Sequence, residues 1–108
     1  VCESIVYAIT AGLNVENVLK SIATGAAGSW SMTNLGPKII ASDYNPGFFA
    51  KHMLKDLRIA QQECERMEIS LPGLNVAVEL FEQLVEKGYG DYGTQVLAKY
   101  YREKTVTN

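Results

Sequence analysis

The sequence predicts an all-α, single helical domain of about six helices around one long central helix. Three observations predict it. Apolar residues recur at three- and four-residue spacing in every long segment, no segment sustains the alternation of a strand, and clusters of Gly, Pro and Asn separate the periodic stretches. With 108 residues, 47% hydrophobic and 20% charged, the chain suits one globular domain.

In the first segment Cys2, Ile5, Val6 and Ile9 share a helix face, and Gly12 stands where a left-handed residue closes such a helix. Val1 opens directly onto that face with no Ser, Thr, Asp or Asn before it, so the helix is expected to continue upstream in a larger parent protein. Asn14 is placed to cap a second helix, with Glu16 in its first turn and Val15, Val18, Leu19 and Ile22 on its buried side; Gly25 closes it.

The small-residue run Gly25 to Ser31 leads into a third helix through Met32, Leu35, Ile39 and Ile40, with Ser29 or Ser31 as its cap. Its glycines serve either close packing against a neighbouring helix or a loop lining a ligand cleft. They do not fit GxGxxG, and no strand precedes them. Pro37 should kink or shorten that helix, because it removes a backbone donor.

The turn Asp43 to Gly47 delivers the chain to its longest helical stretch, Phe48 to Met67. Phe49, Met53, Leu57, Ala60, Cys64 and Met67 lie along one side and form the expected core face. Past Pro72 and Gly73, Leu74 to Lys87 is strongly amphipathic and Gly88 ends it. Asp91, in the loop from Gly88 to Gly93, is placed to cap a last helix carrying Val96, Leu97, Tyr100 and Tyr101, and the tail after Arg102 should fray.

Composition narrows the function classes. A net charge of −2 without a Lys/Arg run leaves no electrostatic footprint for nucleic acid. Cys2 and Cys64 lie far apart on apolar faces, with no CxxC and a single His, so free thiols are expected and no metal site. That thiol usage and the shortness of the apolar runs predict a cytoplasmic protein with no membrane span.

The residues able to carry chemistry gather on the long helix. Lys51, Lys55 and Arg58 share one strip, where each like-charge pair costs only a few tenths of a kcal/mol. The strip is therefore either an ordinary solvated face or an anion site for carboxylate or phosphate. His52 and Asp56 are four apart and can touch, but no nucleophile completes a triad. At about 100° per residue Phe48 falls almost above Lys55. Phe48 is thus either a core plug or an aromatic wall beside a cation, suited to a small carboxylic acid or a flat cofactor ring.

The stretches Glu3 to Leu13, Gly25 to Trp30 and Asn45 to Ala60 (NPGFFAKHMLKDLRIA), followed by Leu71-Pro72, together resemble the C-terminal helical domain of the β-hydroxyacid dehydrogenase family. That family includes 3-hydroxyisobutyrate dehydrogenase and tartronate semialdehyde reductase. The resemblance covers nearly the whole chain, and Phe48 followed at Lys55-Asp56-Leu57 is its most specific part.

The resemblance implies an enzyme using NAD or NADP, with an N-terminal Rossmann domain and an all-α C-terminal substrate and dimerisation domain, here residues 1–108. The active site would lie in the cleft between them. It implies that Lys55 reaches the nicotinamide cofactor and that Phe48 and Asp56 line the substrate side. The family's catalytic lysine, in GxGxxxKxxN, its Rossmann glycines and its substrate-binding serine do not occur in this sequence, so no catalytic residue is expected here. The implied partners are a small β-hydroxyacid, the chain's own Rossmann domain and further copies in a homo-oligomer. The competing class is a non-enzymatic helical interaction or oligomerisation module whose cationic strip binds an acidic peptide.

Overall fold

Stretches this short hold helical form only by packing their apolar faces, and the computed structural model of the protein shows which faces pair. It describes residues 1–106, with side chains described through Lys104. Among them are six α-helices, in the predicted all-α class: α1 Cys2–Thr10, α2 Val15–Ala23, α3 Trp30–Ile40, α4 Ala50–Arg66, α5 Pro72–Glu86 and α6 Leu97–Val106. A 3-10 turn, Thr94–Val96, precedes α6.

The expected arrangement around the long helix is corrected. The chain forms two compact units, Val1–Tyr44 with the stretch from Gln95 onward, and Asn45–Thr94. The hub of the first is α1, which packs against α2, α3 and α6. Ile5, Ile39 and Ala98 form its core, with Cys2, Val6, Ile9 and Val15 against them. In the second, α4 pairs with α5.

Several termini follow the sequence. Asn14 Oδ1 accepts from the Asn17 amide at 3.0 Å, and Ser29 Oγ, not Ser31, accepts from the Met32 amide at 2.9 Å. Gly12 (φ 76°) and Gly88 (φ 93°) close α1 and α5 in the left-handed region. Ser42 (φ 55°) and Glu68 (φ 58°) do the same after α3 and α4, although an L side chain there costs about 1–2 kcal/mol. Glu68→Gly is therefore expected to stabilise the chain by roughly 0.5–1 kcal/mol. The gain would be read as a higher denaturant midpoint at unchanged slope; an unchanged midpoint would show that no strain is stored there.

Pro37 does not shorten its helix. α3 runs through it to Ile40, and the Pro37 carbonyl accepts from the Ala41 amide at 3.0 Å, because a φ locked near −65° suits a helix and only one donor is lost. Helix-to-helix approach occurs at Gly36, where a built Cβ would come within 2.8 Å of Leu19 Cδ1. Gly28 instead closes on the end of its own preceding helix, against the Ala23 carbonyl.

The α4 core face is rotated from the expected one. Ala50, Leu54 and Cys64 are buried; of the other expected residues Phe49, Met53 and Leu57 are half-buried, as is Gln61, whereas Ala60 and Met67 are exposed. The cause is the helix start: Phe49 is the extended N-cap residue, and one partner helix takes one stripe at four- and three-residue spacing. Val78, Phe81 and Leu84 of α5 are buried as well. Each such side chain contributes about 1.5–3 kcal/mol. The exposed Arg58–Glu82 pair, at 3.0 Å, adds under about 1 kcal/mol, so the apolar seam holds the pair.

Asp91 does not cap the last helix, because the chain passes through the 3-10 turn and α6 starts at Leu97. The tail does not fray at Arg102: α6 continues to Val106, and the remaining residues lie outside those described.

Candidate functional site

The predicted site residues lie at the start of α4, in the second unit. Phe48 precedes the helix, so the projection that set it above Lys55 does not apply, and that expectation is corrected. The Thr94 amide donates to the Phe48 carbonyl at 3.0 Å, and Phe49 forms an isolated antiparallel bridge with Gly93. The Ala50 amide donates to Tyr92 O at 2.8 Å and the Lys51 amide to Gly90 O at 3.0 Å. A Phe side chain cannot cap, so loop carbonyls satisfy amides that a helix start leaves open. Those amides are not available to an anion, and any anion site here must use side chains.

The cationic strip is divided. Lys51 Nζ pairs with Asp91 Oδ1 at 2.6 Å and lies 5.5 Å from the Phe49 ring centroid. Arg58 pairs with Glu82. Lys55 and Asp56 are exposed, and among the described residues neither has a side-chain hydrogen bond or ion pair. His52 turns to the aromatic rings rather than to Asp56: its centroid is 6.3 Å from Phe48, edge-on, and 5.3 Å from Phe49. The Phe48 ring is 44% exposed, which disposes of the core-plug alternative. An exposed ammonium without a side-chain partner among the described residues can, in kind, hold an anion.

Sequence reasoning missed the loop that builds this end of α4. Asp91, Gly90 and the edge-on pair Tyr89–Tyr92, at 5.7 Å, belong to it. Three glycines in six residues signalled a tight loop, but nothing local says that it docks some forty residues back along the chain. In the first unit it missed Gln95, 2% exposed, whose Nε2 donates to Asp43 O at 3.1 Å.

Two ionisable groups with displaced pKa values, Cys2 and Tyr101, belong to the first unit. Burial pushes the Cys2 thiol up, and burial, with the Glu3 carboxylate adding to it, pushes the Tyr101 hydroxyl up. A thiol raised by burial is a poor nucleophile. Cys2 and Cys64 are both free. An open groove of about 500 Å³ lined by Glu16, Leu19, Lys20, Pro37, Ile40 and Ala41 lies in the first unit and contains no predicted site residue. No helix among the described residues is long and apolar enough to cross a membrane.

Residues 1–101 match the family described as NAD-binding of NADP-dependent 3-hydroxyisobutyrate dehydrogenase. An uncharacterised oxidoreductase of Bacillus subtilis is 46% identical over 101 residues, covering 94% of this chain and 35% of the relative. A probable 3-hydroxyisobutyrate dehydrogenase-like mitochondrial protein of Arabidopsis thaliana is 47% identical over 95 residues, covering 88% and 28%. The crystal structure of 3-hydroxyisobutyrate dehydrogenase from Salmonella typhimurium shares the fold, with a TM-score of 0.87 at 22% identity, covering 92% and 35%. The chain thus spans about a third of the length of the curated relatives it matches. The matched family is defined by NAD binding, which agrees with a nicotinamide cofactor. It also corrects the description of the chain as the family's C-terminal domain, since the matched family is named for NAD binding. Through the match over residues 1–101, this chain belongs to the NAD-binding family of NADP-dependent 3-hydroxyisobutyrate dehydrogenase.

Proposed function

We propose that this chain supplies one wall of the active site of an NAD(P)-dependent dehydrogenase acting on a small β-hydroxyacid or its semialdehyde. A separate Rossmann domain of the parent protein supplies the other wall. The observation that carries the reading is Lys55, the one cation of its strip with no carboxylate partner among the described residues.

The bound nicotinamide supplies the hydride acceptor or donor for the hydroxyl-bearing carbon. Lys55 holds the cofactor and offsets negative charge in the closed cleft. Phe48 presents its exposed ring to the substrate side and excludes water, and Asp56 accepts a hydrogen bond from the substrate there. The general acid/base lysine lies elsewhere in the parent, which works in the cytoplasm as a homo-oligomer.

The purified chain, mixed with NAD(P)H and a small semialdehyde, is expected to show no substrate-dependent NAD(P)H oxidation, because it holds one wall of the site; turnover would contradict the reading. The rest of the parent sequence is expected to contain a strand followed by GxGxxG. A different domain type there would favour the helical interaction module.

A further inference from the structure

Residues 48–51 are held against residues 90–94 by three backbone hydrogen bonds, two of which make the Phe49–Gly93 bridge, before α4 has completed a turn. The Thr94 amide holds Phe48 O, Phe49 bridges Gly93, and the amides of Ala50 and Lys51 are held by Tyr92 O and Gly90 O. We infer that the Gly90–Thr94 segment positions the Phe48 ring for the hydroxyacid, with the Thr94 amide as the tie that sets it. The inference rests on the reading of Phe48 as a substrate-side residue.

Were Phe48 helical, its carbonyl would accept from the amide of His52. That amide goes to Phe49 O at 3.0 Å, and Phe48 O is left to Thr94. Phe49, half-buried, turns towards Lys51 and His52, and Phe48 emerges 44% exposed.

The edge contact with His52 is the ring contact recorded for Phe48, and one edge contact on an exposed side chain does not fix a direction. The backbone tie does. The segment packs closely here: Gly93 is buried, and a Cβ at Gly90 would stand in ordinary contact, 3.4 Å from Lys51 Cβ and 3.7 Å from Val85 Cγ2. The Lys51–Asp91 pair fastens the same segment from the side-chain direction.

Thr94→Pro in the full-length parent removes this amide at the first position of a helical turn, where proline is tolerated. It is expected to raise the KM for the β-hydroxyacid roughly three- to tenfold, the size of one lost backbone hydrogen bond, and to leave the dinucleotide KM unchanged. Thr94→Val, which keeps the amide, should leave both unchanged. Phe48→Ala should raise the hydroxyacid KM, and Thr94→Pro should add nothing in that background. Gly90→Val, which crowds Lys51, is a second lever with the same selective rise expected, should the proline variant not fold. The inference is overturned if Phe48→Ala raises the hydroxyacid KM but the folded lever variant does not, or if the two effects add in full. If Phe48→Ala itself leaves that KM unchanged, the site reading fails and takes the inference with it.

Discussion

Gly28→Ala is expected to lower the unfolding free energy by about 2–3 kcal/mol. For a chain of this size that is a fall in Tm of roughly ten degrees or more. A methyl at this position would land on the Ala23 carbonyl oxygen, with the Ala23 carbonyl carbon at 2.9 Å and Gly25 O at 3.0 Å. All three are backbone atoms at the end of α2 or in the turn after it, so no side chain can swing aside. Relief requires moving the junction between α2 and α3. Gly25→Ala is the matched control, since its nearest atom is Ile22 O at 3.8 Å, and it should cost far less. Equal losses for the two variants, by thermal or denaturant unfolding, would contradict this account of the turn.

Lys55→Ala in the full-length parent is expected to raise the dinucleotide KM by roughly ten- to a hundredfold, the size of a lost hydrogen bond to a charged group. The same change should leave folding stability within about 0.5 kcal/mol of the original, because Lys55 is exposed and has no side-chain partner among the described residues. The contrast between a large kinetic effect and no stability effect separates a ligand contact from a structural ion. Lys51 and Arg58, paired with Asp91 and Glu82, serve as the comparison: removing either cation should move the dinucleotide KM much less.

What the sequence made legible was mostly local. The caps at Asn14 and Ser29 and the closing glycines Gly12 and Gly88 depend on residues within a few positions of one another, and pattern reading reaches them. The rotation of the α4 face was not legible, because it depends on where the helix starts. The sequence places Phe48 and Phe49 in phase with the helix, but the structure holds both ahead of it, Phe48 in a bend and Phe49 extended, tied to residues 94 and 93. The same distant docking gave Lys51 its partner and left Lys55 without one. A strip of three like charges was visible in the sequence; which of them stays available was a tertiary fact. Ser42 and Glu68 show the reverse limit, since neither residue type announces a left-handed backbone.

The claim at the centre of this account is that Lys55 serves the cofactor and Asp56 the substrate. Steady-state kinetics of Lys55→Ala and Asp56→Ala in the full-length parent, with the two KM values measured separately, test it most directly. The account predicts a raised dinucleotide KM for Lys55→Ala and a raised hydroxyacid KM for Asp56→Ala, each with the other constant little changed. Two variants that both keep the original constants would contradict it.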